Sequence, residues 1–234
     1  MAAVGSQSPH HSHPYYPPEA ELAGYLANEY SVLRLLVYFA IGCASVLGTA
    51  LVVATHVRPS MNRADRFAIL WFVLSGSLHC FFEGYFVVNH AHMAAAQDLF
   101  GQLWKEYSLS DSRYLNSDPI VLCMETITVM VWGPLCFLVA YLITVQHSLR
   151  YPFQIIVCMA HLYGDVLYYA TSLFDHYFNG VSYCRPEAYY FWGYYFFMNF
   201  IWIVVPFYYL CESITRISRA FQKLNRGAVE RKSE

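Results

Sequence analysis

His79 and Glu83 stand four residues apart in an otherwise apolar run, HCFFEGYF (79–86). On a helix that spacing puts both side chains on one face. Other polar groups interrupt apolar stretches in the same way. They are Glu125, the His161/Asp165 pair (again four apart) and Asn199. Ionisable side chains in such surroundings are costly and generally face a cavity or a partner. Glu125, Thr128 and Trp132 share a helical face, as do Tyr195, Asn199, Trp202 and Pro206. Two carboxylates in a low dielectric do not both ionise readily, so one can donate a proton and the other accept one. That equipment suits moving a carbon–carbon double bond. One alkene carbon is protonated, the cation is held, and a proton leaves the neighbouring carbon. Tyr and Trp faces can stabilise the cation. Two other readings of these residues remain open. A His–Glu pair can be an interhelical polar clamp. Intramembrane carboxylates can also relay protons in a transporter, although no inverted repeat or pair of broken helices is visible.

The elements that must position these groups are membrane helices. The chain has 234 residues, 57% hydrophobic and only 13% charged, with 21 Tyr and 17 Phe. A span needs about 20 mostly apolar residues. Five segments qualify, at about 32–57, 65–90, 119–146, 151–175 and 187–213. The expected fold is an all-α integral membrane protein, a five-transmembrane-helix bundle with an intramembrane ligand cavity. A barrel is disfavoured, because the ten-residue alternation of membrane strands is missing. At about 1.5 Å per residue, Glu83 lies about 10 Å below the outer end of its span and Glu125 about 9 Å below the same surface. His79 and Asn199 fall roughly one turn deeper.

Ten of the 14 Lys and Arg residues fall on the side of the C-terminus, which is therefore expected in the cytosol. The domain expectation is a polar disordered tail over 1–31, a transmembrane domain over 32–214 and a basic cytosolic tail over 215–234. The tail ends in Arg231-Lys232-Ser233-Glu234, similar to a dibasic retrieval signal for the endoplasmic reticulum. His10, His11 and His13 could bind metal loosely, but the Pro- and His-rich N-terminus reads better as a tail. His90 and His92 find no third ligand at a recognisable spacing. The seven cysteines fit neither a zinc site nor a disulfide framework. No metal or organic cofactor is expected. A net charge of −2 leaves no broad basic surface for nucleic acid. Gly and Ser residues in the first span allow helix pairing into a homodimer, a common pattern.

Seven stretches carry a resemblance. They are HCFFEGYF (79–86), LWKEY (103–107), DSRY (111–114), CMETIT (123–128), WGPL (132–135), LYGDVLY (162–168) and FMNFIW (197–202). In this order, over about 68–210, the chain resembles the emopamil-binding protein family, the sterol Δ8-Δ7 isomerases of the EXPERA superfamily. It departs from the family at Leu109-Ser110, where Lys-Gly often precedes DSRY. The resemblance implies a multi-pass protein of the endoplasmic reticulum membrane that isomerises a Δ8 sterol without cofactors and binds cationic amines. By the same resemblance, His79, Glu83 and Glu125 manage protons. Thr128, Asn199 and Trp202 orient carboxylates or face the cation, and Tyr107, Trp132, Asp111 and Arg113 belong to the substrate site. From the residues alone, Asp111 and Arg113 read as an exposed ion pair, and His161 and Asp165 as structural; the resemblance, through Tyr163-Gly164-Asp165, leaves Asp165 as a candidate to support the site from behind. A non-catalytic sterol or amine binder, or an isomerase of another terpenoid, remains open at this point.

Overall fold

The computed structural model describes residues 13–233. His10 and His11 lie outside the described residues, as does Glu234, and no side chain is described at Arg231 or Lys232. Among the described residues the secondary structure is entirely helical. The long helices are α1 (Val32–Val57), α2 (Arg63–Ala95), α4 (Pro119–Thr144), α5 (Arg150–Phe174) and α6. The last begins as a π-helical stretch, Tyr190–Met198, and runs on as Asn199–Ser233. Between α2 and α4 lies the short α3 (Leu99–Tyr107).

Local chemistry sets where these helices start. Asn62 caps α2 by accepting from the Asp65 N–H at 2.8 Å. Asp98 caps α3 through the N–H groups of Phe100 and Gly101. Asp118, followed by Pro119 in the first turn, caps α4. Each cap satisfies orphan N–H groups, and the two aspartates also place negative charge at the positive end of the helix dipole.

Among the described residues, four helices are long and apolar enough to cross a membrane: α1, α2, α4 and the first part of α6. The five-span expectation is met to that extent. α5 is equally long but carries Arg150, Gln154 and His161, all buried. Its polar side chains turn inward, while Ile156, Met159, Tyr163 and Val166 stay exposed. α1 is apolar all round and its most apolar stretch is wholly unburied, as expected of a helix whose solvent is lipid.

α2, α4, α5 and α6 share a core around Phe72, Cys136, Val139, Val157 and Tyr209. Lipid tails are as apolar as Leu, so this packing rests on close approach and polar ties. One tie is Asp65, which accepts from Arg58 and, at 2.6 Å, from Arg150. Close approach is set at Gly133. A Cβ there would lie 2.5 Å from Cys80 Sγ and 3.1 Å from His79 Cβ. On both helices the crossing is π-helical, at Leu78–Glu83 and Thr128–Trp132. Such bulges re-aim side chains and frequently mark functional sites.

The end of the bundle around α3 differs from expectation. Residues 13–31 were expected as part of a disordered tail, yet they pack as a strap over α3. Tyr15 is buried and donates to Lys105 O at 3.1 Å. Gln102 Oε1 accepts from the N–H groups of Glu29 and Tyr30, both at 2.8 Å, and Lys105 Nζ donates to Leu26 O at 2.7 Å. Burial pushes the Lys105 ammonium down to about 8. The strap has no hydrophobic period to announce it. It is held by aromatic rings and by its own backbone groups. The C-terminal segment expected as a basic tail continues α6 as helix.

Candidate active site

The π-helical crossing opens onto a cavity of about 430 Å³, lined by residues of α1 to α6 and by Tyr114. His79 and Glu83 enter from the π segment of α2. The two carboxylate oxygens of Glu83 lie 2.9 and 2.8 Å from His79 Nδ1. Four-residue spacing foresaw the shared face. The bidentate contact follows from the local backbone. Glu125, Thr128 and Trp132 line the cavity from α4. Glu125 Oε1 accepts from the Tyr114 hydroxyl at 2.8 Å. Thr128 Oγ1 donates to Met124 O in its own helix, at 2.9 Å. Both carboxylates therefore line one cavity.

From α6 come Asn199 and Trp202. Asn199 Nδ2 lies 3.0 Å from the Tyr107 hydroxyl and donates to Tyr195 O at 2.7 Å. Trp202 stacks obliquely on Trp71, with centroids 5.2 Å apart, and its buried indole N–H has no partner among the described residues. Tyr107 and Tyr168 add further aromatic faces. The cavity is thus a mostly apolar chamber lined by carboxylates and aromatic rings.

Asp111 and Arg113 do not line it. They are fully buried behind Tyr168, which corrects their reading as an exposed pair. Arg113 Nη2 donates to Asp111 Oδ2 at 2.6 Å and Nη1 to Thr171 Oγ1 at 2.9 Å. The guanidinium lies 5.0 Å from the Tyr168 ring centre. Burial works against its charge, but Asp111 outweighs it and keeps Arg113 above its ordinary pKa. Sequence spacing could not reveal this, because the pair is buried by α5 and the 181–185 loop. The loop is tied by Ser112 N to Tyr183 O and Arg185 N to Leu109 O, both at 3.1 Å.

Three residues not expected to line the site also face the cavity. His161 Nε2 lies 3.0 Å from His79 Nε2. Asp165, one turn on, has an oxygen that is buried and unpaired among the described residues. Glu106 also lines the cavity, from α3, with Tyr194 donating to it at 3.3 Å. Burial raises its pKa. The four-residue spacing of His161 and Asp165 was the available signal for the first two.

His79, His161 and Cys136 place their donor atoms within 4.8 Å of one another, close enough to consider a metal ion. Two imidazoles on tetrahedral zinc hold their nitrogens about 3.3 Å apart, given bonds of about 2.0–2.1 Å. The 3.0 Å contact is shorter and has the length of a hydrogen bond. Cys136 Sγ stands further off, 3.8 Å from His161 Nε2. We assign the trio as a hydrogen-bonded group.

Comparison with known proteins identifies relatives of the chain. The family model described as EXPERA (EXPanded EBP superfamily) matches residues 99–213. The chain is similar to a 3-beta-hydroxysteroid-Delta(8),Delta(7)-isomerase of Mus musculus, at 33% identity over 95% of this chain and 96% of the relative. A protein named probable 3-beta-hydroxysteroid-Delta(8),Delta(7)-isomerase in Oryza sativa subsp. japonica is 30% identical, over 91% of this chain and 95% of its own. A protoglabretal synthase of Citrus sinensis is 35% identical over 62% of this chain and 67% of its own.

Proposed function

Because the chain belongs to the EXPERA family of emopamil-binding proteins, we propose that it is a sterol Δ8-Δ7 isomerase working inside a membrane. The ring double bond moves in two proton transfers. One proton adds at C9, cationic character rests at C8, and another proton leaves C7. His79, Glu83 and Glu125 carry these protons. The observation that carries the reading is the convergence of Glu83, from the π-helical segment of α2, and Glu125, from the helical turn just before the π segment of α4, on one largely apolar cavity. Its volume lies within the range of small-molecule pockets, about 300–1,000 Å³. An apolar chamber keeps water from the cation, and preorganised carboxylates stabilise it without reorganising.

The other walls take supporting parts. Trp202 and Trp132 present ring faces to the cation. Asn199, held by Tyr107 and the Tyr195 carbonyl, offers its amide to the carboxylates. Thr128 offers its hydroxyl lone pair. Asp111 and Arg113 brace Tyr168 and so act on the substrate site from behind. Amines that carry an ammonium at the cation's position occupy the same cavity.

The membrane setting completes the proposal. α5 is the fifth span, its polar residues turned toward the bundle. The protein resides in the endoplasmic reticulum membrane with its C-terminus in the cytosol. α1 carries Ser45 and Gly48 on an open face, which supports pairing with a second copy. Expression in a strain lacking sterol isomerase tests the activity. Restored Δ7 sterols support it, and persistent Δ8 sterols despite good expression refute it.

A further inference from the structure

His79 has two ring nitrogens and both are engaged. Nδ1 faces both oxygens of Glu83, and Nε2 faces His161 Nε2. Only one of the two facing Nε2 atoms can carry the shared proton. His161 Nδ1, the remaining nitrogen of the pair, is buried and has no partner among the described residues. His161 itself is 6% exposed.

These contacts fix the protons. Suppose His79 carried a proton on Nε2, either as imidazolium or with Glu83 protonated. His161 would then have to accept it, and its own proton would sit on Nδ1, where nothing receives it. A buried N–H without an acceptor bears the full desolvation penalty. In the other arrangement every ring N–H is paired. His161 Nε2–H donates to His79 Nε2, and His79 Nδ1–H donates to the Glu83 carboxylate. The near-equal contacts to both Glu83 oxygens, 2.9 and 2.8 Å, suit an ionised acceptor.

We propose that His161 is a positioning residue that locks His79 in its neutral Nδ1–H tautomer and thereby keeps Glu83 ionised, as the resting proton acceptor of the site. The tautomer follows from geometry alone, whereas its effect on turnover rests on the isomerase reading. The titratable neighbours are Cys80 on α2, Cys136 and Glu125 on α4, and Asp165 on α5. Among the described residues no Lys or Arg lines the cavity.

The test has a spectroscopic and a kinetic arm. Full-length protein carrying ¹⁵N-histidine is purified in micelles, and the two rings are assigned by their loss in His79→Gln and His161→Gln. The ¹⁵N shifts should report Nδ1–H at His79 and Nε2–H at His161 near neutral pH. An Nε2–H or doubly protonated His79 overturns the proposal. His161→Gln retains an N–H that can donate to His79 Nε2, and should keep turnover within a few-fold. His161→Met removes the donor at similar size. It should lower kcat roughly 10- to 100-fold with KM little changed, the usual cost of losing a histidine's orienting partner, and should shift the pH profile. A Met variant as active as the Gln variant, with the same profile, also overturns it. If the Met variant fails to fold, the tautomers of the wild type and the Gln variant decide. If wild-type protein isomerises no Δ8 sterol, the functional reading fails while the ¹⁵N shifts still decide the tautomer.

Discussion

Gly133→Ala tests whether the closeness of α2 and α4 is what builds the site. The added methyl would lie 2.5 Å from Cys80 Sγ, 3.1 Å from His79 Cβ and 3.3 Å from Cys80 N. Real carbon contacts do not approach 2.5 Å, so one helix must move. Overpacking of this kind costs about 1–3 kcal/mol. In a chain of this size each kcal/mol lowers Tm by about 2–4 °C. The movement falls on His79 and Glu83, so turnover should drop further than stability does. Displacing a reacting group by about 1 Å can cost about 100-fold. Cys80→Ala removes the sulfur responsible for the shortest contact. In the double variant the remaining contacts, at 3.1 and 3.3 Å, require only small shifts, so most of the lost Tm and turnover should return. Thermal unfolding in detergent, paired with sterol turnover, reads both quantities. A Gly133→Ala protein with wild-type Tm and wild-type turnover would refute the argument. So would a double variant no better than the single.

Three further outcomes are expected. Glu125→Gln keeps the size and the Tyr114 contact but cannot exchange a proton with substrate. Turnover should fall by about 10²–10⁴-fold, while a cationic amine still binds in a displacement assay. Asp111→Ala leaves the Arg113 charge buried and unpaired, and should cost about 3–5 kcal/mol by thermal unfolding. An Asp111→Leu/Arg113→Met double variant should be milder, because neither charge remains. Lys105 has a folded pKa of about 8, below its ordinary 10.5. Between those values the unfolded chain binds the extra proton, so its contribution to stability rises with pH. The Tm difference between wild type and Lys105→Met should shift in favour of wild type from about pH 7 to about pH 9.5.

Much of the site was legible because helical periodicity is a strong signal. His79 and Glu83 at i, i+4 announced a shared face, and counting residues from the span ends put Glu125 near the same depth. The π-helical segments could not be read this way. A bulge shifts the phase of the helix without leaving a mark in composition, and its placement follows from Gly133 packing against Cys80. The strap over 13–31 was obscured for another reason. Its contribution lies in Tyr15, in backbone carbonyls and in the acceptor of Gln102, none of which shows a period. Asp111 and Arg113 looked exposed because a charged pair in a loop usually is. They are buried because α5 supplies Thr171 and Tyr168 from 55 or more residues away in sequence. His161 read as structural because its partner His79 lies on another helix, and only the folded chain brings the two rings together.

The central claim is that a proton from an acid in the cavity enters at C9 while a different proton leaves C7. Purified protein incubated with a Δ8 sterol in deuterated buffer measures this directly. A Δ7 sterol carrying one deuterium, at C9, is expected by mass spectrometry and NMR. A Δ7 product without deuterium, or unconverted Δ8 sterol with well-folded protein, would contradict it.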